Sequence, residues 1–246
     1  MYHFFVRPDQ VGGGEAVITG SDVNHIGNVL RMKPGEKVLL SAGGDWEYLC
    51  EIREITREEV RLDVIEGEQS VKELPAEITL YQGLPKSDKM ELIIQKAVEL
   101  GAYRIVPVAT RNAVVKLDEK KAAQKVSRWN SIAMAAAKQS KRSMVPEVSG
   151  VMSFREALLE ASDYAGKLFP YENAEGIRAT REAVAAVRPG TDIAVFIGPE
   201  GGFDPSEVQA AEAAGFIPVT LGKRILRTET AGLCILSALM LQLEEE

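Results

Sequence analysis

Cysteine and histidine are scarce in this chain: 246 residues hold only Cys50, Cys234, His3 and His25. The cysteines stand in apolar contexts and the histidines lie far apart. That excludes a Cys/His zinc cluster and a disulfide framework, and predicts a protein without metal. No apolar run is long enough to cross a bilayer: AGLCILSALMLQL, 231–243, is shorter than the ~20 residues a spanning helix needs. The opening MYHFFVRPDQ lacks a basic leader followed by an apolar stretch, so no signal peptide is expected and the reading is cytoplasmic. Two glycine signatures are missing, G-x-x-x-x-G-K-[ST] and a G-x-G-x-x-G at a strand–helix junction, which argues against a Rossmann-type nucleotide enzyme. There is no G-x-S-x-G elbow and neither histidine has a triad context. Any reaction here is expected to need no covalent intermediate.

What remains is an ordinary globular composition, 46% hydrophobic and 26% charged, with enough apolar material for real cores. The net charge of −7 is unevenly spread: residues 86–142 hold 13 Lys and Arg against 5 Asp and Glu, and both flanks are acidic. Such a basic block can make a polyanion-binding face on an acidic protein, or simply a pair of solvated lysine-rich helices.

The patterning divides the chain. Up to about residue 70 it is β-like: Tyr48, Cys50 and Ile52 alternate with polar residues, as do Val60, Leu62 and Val64. Short strands with Gly and Pro turns predict a small barrel, interrupted by one helix that Ser21 can cap. The polar stretch EGEQSVKELP, 66–75, reads as a linker, giving domains 1–72 and 73–246. Beyond it strands and helices alternate, which predicts an α/β domain with a mostly parallel sheet. Ser87 is expected to cap a helix with Met90, Ile93, Ile94, Ala97 and Val98 on one face, stopped by Gly101. Asp118 opens a long helix, Ser153 and Glu156 form a capping box, and Asp204-Pro205-Ser206-Glu207 opens another helix.

Ligands of such sheets bind beyond the carboxyl ends of strands. Three strand ends stand out: Leu168 to Glu172, Ile197 to Gly202 (IGPEGG), and Leu221 to Arg227 running into Thr228-Glu229-Thr230-Ala231. Glu200 would bring a carboxylate toward a bound phosphate, so the second loop suits a ligand with a cationic centre better, unless its glycines serve only a tight turn. The segment 231–243 is apolar all round and expects burial on all sides, by its own domain or by a partner subunit.

Four stretches carry a resemblance: KSDKMELIIQKAVELGAYRIVPV, the segment Trp129–Arg142, FIGPEGGFDPSEV, and LGKRILRTETA. Together with HIGNVLRMKPGEKV near the start they resemble the RsmE family over nearly the whole chain. Its members are S-adenosylmethionine-dependent methyltransferases acting on N3 of a uridine in 16S ribosomal RNA, in the decoding region of the small subunit. The resemblance implies a SPOUT-type α/β domain with a trefoil knot, preceded by a PUA-like RNA-binding barrel, and a homodimer. It implies an S-adenosyl-L-methionine pocket walled by Leu168, Pro170 and Glu172; by Ile197, Gly198, Pro199, Glu200, Gly201 and Gly202; and by Leu221, Gly222, Ile225 and Leu226.

Within that resemblance, Arg227 is the candidate to stabilise the anion developing on uracil. Glu229 is either the acceptor of the N3 proton or only an anchor for Arg227 or for the start of the last helix. Thr228 and Thr230 either cap that helix or touch substrate. RNA is expected over the basic block, with Lys86, Lys89, Arg111, Lys138, Lys141 and Arg142 as phosphate ligands, joined by Arg7, His25 and Arg31 from the small domain. The competing expectation is a non-catalytic RNA-binding or ribosome-assembly protein that keeps the fold.

Overall fold

The computed structural model describes residues 1–43, 46–174 and 176–244. The chain forms two compact units, Met1–Glu73 with Ala137–Val145, and Leu74–Ala136 with Pro146–Glu246. Residues 137–145, expected in the second domain, therefore group with the first unit. Contacts distant in sequence hold them there: Glu73 accepts hydrogen bonds from Arg142 Nε at 2.9 Å and from the Ser143 backbone at 2.9 Å, and Lys138 Nζ reaches Asp22 at 3.0 Å.

The first unit holds strands β1 (Tyr2–Phe5), β2 (Val11–Gly12), β3 (Glu15–Thr19), β4 (Lys37–Ser41), β5 (Trp46–Ile55) and β6 (Glu59–Gln69). They form one sheet in the order β1-β4-β5-β6-β3-β2, antiparallel except for β1 with β4. Alternation puts Phe4, Ile18, Val38, Leu40, Cys50, Ile52, Val60 and Leu62 into one core. The helix expected after Ser21 is distorted. A four-residue turn, α1 (Ser21–Asn24), passes into a π turn over His25–Val29, where the Leu30 amide donates to the His25 carbonyl at 2.8 Å. Ser21 does not cap it. Gly20 holds that position at φ 77°.

The second unit carries β7 (Glu77–Gly83), β8 (Arg104–Ala109), β9 (Glu147–Val148), β10 (Met152–Ser153), β11 (Gly166–Pro170), β12 (Asp192–Ile197) and β13 (Ile217–Val219). All pair in parallel, in the order β10-β8-β7-β12-β11-β13 with β9 also on β8. The helices are α2 (Lys89–Glu99), α3 (Glu119–Ser140, crossing into the first unit), α4 (Phe154–Glu160), α5 (Ile177–Ala185), α6 (Pro205–Ala213) and α7 (Thr228–Leu243). The α2 face Met90, Ile93, Ile94, Ala97 and Val98 is buried as its spacing predicts. Its start differs: Ser87 sits at φ 56° and Asp88 occupies the cap position. Both capping boxes form, at Ser153/Glu156 and Asp204/Glu207. The core is aromatic: Phe196 stacks on Tyr81 at 4.4 Å between ring centres, and Phe169 meets Phe203 at 4.3 Å.

The last helix departs from its expectation. Ile235, Leu236, Leu239 and Leu243 are buried, but Cys234 and Leu241 are exposed, Leu241 by 74%. Within one chain α7 keeps an apolar face in water.

Candidate active site

The loops after β11, β12 and β13 meet at the carboxyl edge of the parallel sheet and enclose a cavity of about 600 Å³. Pro170 and Glu172 wall it from the first loop, Ile197 to Gly202 from the second, and Leu221, Gly222, Ile225, Leu226 and Arg227 from the third. Leu168 does not belong to that wall. It is buried within β11, in register with Val195 and Ile217, and serves the sheet.

Contacts at the strand ends fix the loops. A Cβ on Gly83, at the end of β7, would come within 2.7 Å of Pro199, so the second loop rests directly on the β7 backbone. Gly202 takes φ 65° and Gly222 φ 114°, regions that side chains disfavour. Gly201 lies against Asn112, whose Nδ2 donates to its carbonyl at 3.1 Å. A Cβ there would lie 3.2 Å from Asn112, a tight contact that a larger residue would have to relieve by moving Asn112 a few tenths of an ångström. The hydroxyl of Thr228 donates to the Gly198 carbonyl at 2.6 Å and accepts from Gln82 Nε2 at 2.9 Å. That pair of bonds ties the start of α7 to the second loop and to β7. Thr180 Oγ1 donates to the Thr220 carbonyl at 2.8 Å and steadies the third loop.

One cation on the cavity wall is shared by two acids. Lys89 Nζ lies 2.9 Å from Glu200 Oε1 and 3.3 Å from Glu229 Oε2. Burial pushes the Glu200 carboxyl up, but the Lys89 ammonium and the amides of Glu200 and Lys86 outweigh it and hold the group below the usual carboxylate range. The Glu200 pairing raises Lys89, against some desolvation, with Glu229 adding to the rise. Glu229 is not among the wall residues; its Oε2 is buried and takes the ionic contact without forming a hydrogen bond. Arg227 is exposed on the wall, and among the described residues its side chain has no partner.

The basic block loses much of its charge to acids outside it. Lys89 serves Glu200 and Glu229, Arg104 serves Glu160 at 2.6 Å, and Arg111 lies 3.5 Å from Asp204. Lys138 pairs with Asp22 and lies 5.6 Å from the centre of the Phe4 ring. Arg142, expected on a phosphate-binding face, is 5% exposed and bonded to Glu73; burial removes it from any surface. Lys86 and Lys141 are exposed, and among the described residues their side chains have no partner. In the first unit His25 and Arg31 are exposed and Arg7 pairs with Asp9 at 3.0 Å.

Sequence reasoning missed the cavity role of Lys89 and the supports Gln82 and Gly83. Nothing in a strand pattern singles out a strand's last residues as the seat of a distant loop. Tyr171, Lys223, Arg224 and Ala231, inside the strand-end stretches singled out from the sequence, also line the cavity, as do Phe203 and Thr220, whose only signal was chain continuity with those loops.

Residues 72–240 match the family model of an RNA methyltransferase domain, and residues 18–65 that of an RNA methyltransferase PUA domain. A ribosomal RNA small subunit methyltransferase E of Bacillus subtilis is 40% identical over 230 residues, covering 92% of this chain and 90% of that protein. The crystal structure of such an enzyme from Neisseria gonorrhoeae bound to S-adenosyl methionine matches with TM-score 0.84 and 33% identity, over 97% of this chain and 96% of that one. A methyltransferase of Legionella pneumophila, solved with its bound cofactor SAM, matches with TM-score 0.84 and 31% identity, over 96% of each chain.

Proposed function

Because this chain belongs to the ribosomal RNA small subunit methyltransferase E family, we propose that it methylates N3 of a uridine in the decoding region of 16S ribosomal RNA. S-adenosyl-L-methionine is the methyl donor. The observation that carries this reading is the cavity of about 600 Å³ where three loops converge. Its size lies in the range of small-molecule sites. Its walls fit the donor: Ile197, Leu221 and Leu226 offer apolar surface, and the glycine-rich loops offer bare backbone at Gly198, Gly202 and Gly222.

The donor supplies a methyl carbon that moves from sulfur to N3, with the S–C electron pair left on a neutral thioether and the N3 proton released. The protein has to bind the two reactants and align them. Arg227, unpaired at the cavity, is free to neutralise negative charge on the uracil carbonyl oxygens. Glu229 has weak support as the proton acceptor, because its carboxylate is turned to Lys89 and not to the cavity; nor does it hold Arg227, and its ion pair instead ties the first turn of the last helix to Lys89.

Residues 1–72 serve as the RNA-docking part and 73–246 as the catalytic part, the latter with the trefoil knot of the SPOUT class. Lys86, Arg111 and Lys141 remain the phosphate candidates of the basic block, with Arg7, His25 and Arg31. The protein works in the cytoplasm as a homodimer. The apolar face of α7, with Cys234 and Leu241 exposed, supports the dimer.

Calorimetry with S-adenosyl-L-methionine, followed by mass spectrometry of 16S RNA from a deletion strain with and without the added protein, tests the reading. It fails if no N3-methyluridine appears on addition. Sedimentation at the monomer mass, with full activity, would remove the dimer.

A further inference from the structure

We propose that Lys89 is a catalytic residue of this reaction: its ammonium, clamped by Glu200 and Glu229, donates a hydrogen bond to a uracil carbonyl oxygen as N3 loses its proton. The inference rests on the reading of uridine N3 as the methyl acceptor.

The geometry favours Lys89 over its neighbours. Lys89 and Glu200 line the cavity and Glu229 does not. An ammonium carries three N–H donors. Two ionic contacts, at 2.9 and 3.3 Å, leave at least one donor, and the side chain stays 29% exposed. Lysine stands at the first position of α2, where the helix dipole disfavours a cation. Its two carboxylates, one from the loop after β12 and one from the first turn of α7, offset that cost and fix the direction of the side chain. The same pairing keeps Lys89 protonated, as a donor must be.

The charged groups that face Lys89 are Glu200 and Glu229. Glu200 is further held by the Lys86 amide, at 3.1 and 3.2 Å from its two oxygens. The third cation-bearing wall, Lys223 to Arg227, supplies Arg227 to the second uracil oxygen. The chemistry balances without a protein base: the N3 proton passes to water at the open mouth, the N3 electron pair takes the methyl carbon, and the bond to sulfur breaks toward sulfur. Lys89 and Arg227 act by making N3–H more acidic in the site. A low-dielectric cleft strengthens such donors.

The test compares wild type, Lys89→Met and Lys89→Arg on the same RNA, with cofactor affinity measured by calorimetry. Removing one such donor costs on the order of 10²–10³ in kcat. Lys89→Met is expected to lose about that much at pH 7 and to recover part of it by pH 9, where N3–H ionises unaided. Lys89→Arg is expected to restore activity partly. Replacing the target uridine by 5-fluorouridine, whose N3–H is more acidic, is expected to shrink the Lys89→Met defect. Cofactor affinity is expected to change by a few-fold at most. A defect of equal size at every pH and with both RNAs would overturn the proposal and leave Lys89 a structural clamp. Unchanged kcat in Lys89→Met would overturn it too. Should Lys89→Met fail to fold, Lys89→Arg with both RNAs decides by the same comparison. Absence of N3-methyluridine from the wild-type reaction would instead remove the reading on which the inference rests.

Discussion

Arg142 is buried against Glu73, its Nε 2.9 Å from the carboxylate, while the amides of Ser143 and Met144 also donate to that side chain. A residue expected among the RNA phosphate ligands is a structural strut of the first unit. Breaking a buried pair by removing one partner costs about 3–5 kcal/mol. Arg142→Ala is therefore expected to lower the urea midpoint sharply, with the slope of RNA affinity against salt unchanged in the folded protein. Lys86→Ala and Lys141→Ala are expected to do the reverse, keeping stability and reducing that slope by about one unit each. An RNA salt titration beside a denaturation curve for each variant separates the two classes.

Gly83 is expected to be as sensitive as any cavity residue, although it does not line the cavity. A Cβ 2.7 Å from Pro199 Cδ displaces the second loop. Gly83→Ala should fold and bind cofactor at least tenfold more weakly, about 1.4 kcal/mol. Calorimetry at the wild-type affinity would show the loop to be independent of its seat.

Thr228→Val removes a hydroxyl that serves two groups at once, the Gly198 carbonyl and Gln82 Nε2. Leaving buried partners unmet costs about 1–3 kcal/mol each. Stability and cofactor affinity are both expected to fall, and Thr228→Ser to restore both. Thermal unfolding with and without cofactor reads the two together.

The Glu200–Lys89 pair sets a pH dependence whose sign follows from the shifts. Glu200 sits below its ordinary 4.5 in the folded protein. Its contribution to stability is full above that value and is lost as pH falls through the lower, folded one. Lys89 is raised above 10.5, so its part is present below that pH and is lost as pH rises through the folded value. The difference in unfolding midpoint between wild type and Glu200→Gln is expected to stay flat from pH 5 to 9 and to narrow at pH 3. A difference that widens toward acid would mean that Glu200 does not ionise against Lys89.

Much of this molecule was legible before its coordinates. Periodicity of two found β5 and β6 of the first sheet, and the spacing of Met90, Ile93, Ile94, Ala97 and Val98 found the buried face of α2. The capping boxes marked α4 and α6 because their hydrogen bonds are local. What escaped was non-local. Arg142 and Lys138 lie only four apart, with Arg142 beyond the end of α3, but their partners Glu73 and Asp22 arrive from far along the chain. Asn130 is a further case: its side-chain amide accepts from the Val148 N–H at 3.0 Å and donates to the Val148 carbonyl at 2.7 Å, fixing β9 on α3. The cavity loops were found because glycine and proline mark them, while Gln82 and Gly83 sit inside an apolar strand that gives no such mark. The π turn at His25 likewise has no signal in the amphipathic pattern around it.

Phe203 belongs to two places at once: it lines the cavity, and its ring packs 4.3 Å from Phe169 and 5.7 Å from Phe154. The cofactor loop therefore ends in the aromatic core and cannot open freely without disturbing it. Occupancy of the cavity and cohesion of the domain become a single cooperative quantity. A ligand at a hundred times its Kd stabilises the native state by about 2.7 kcal/mol, and through Phe203 that stabilisation reaches the central strands as slower amide exchange.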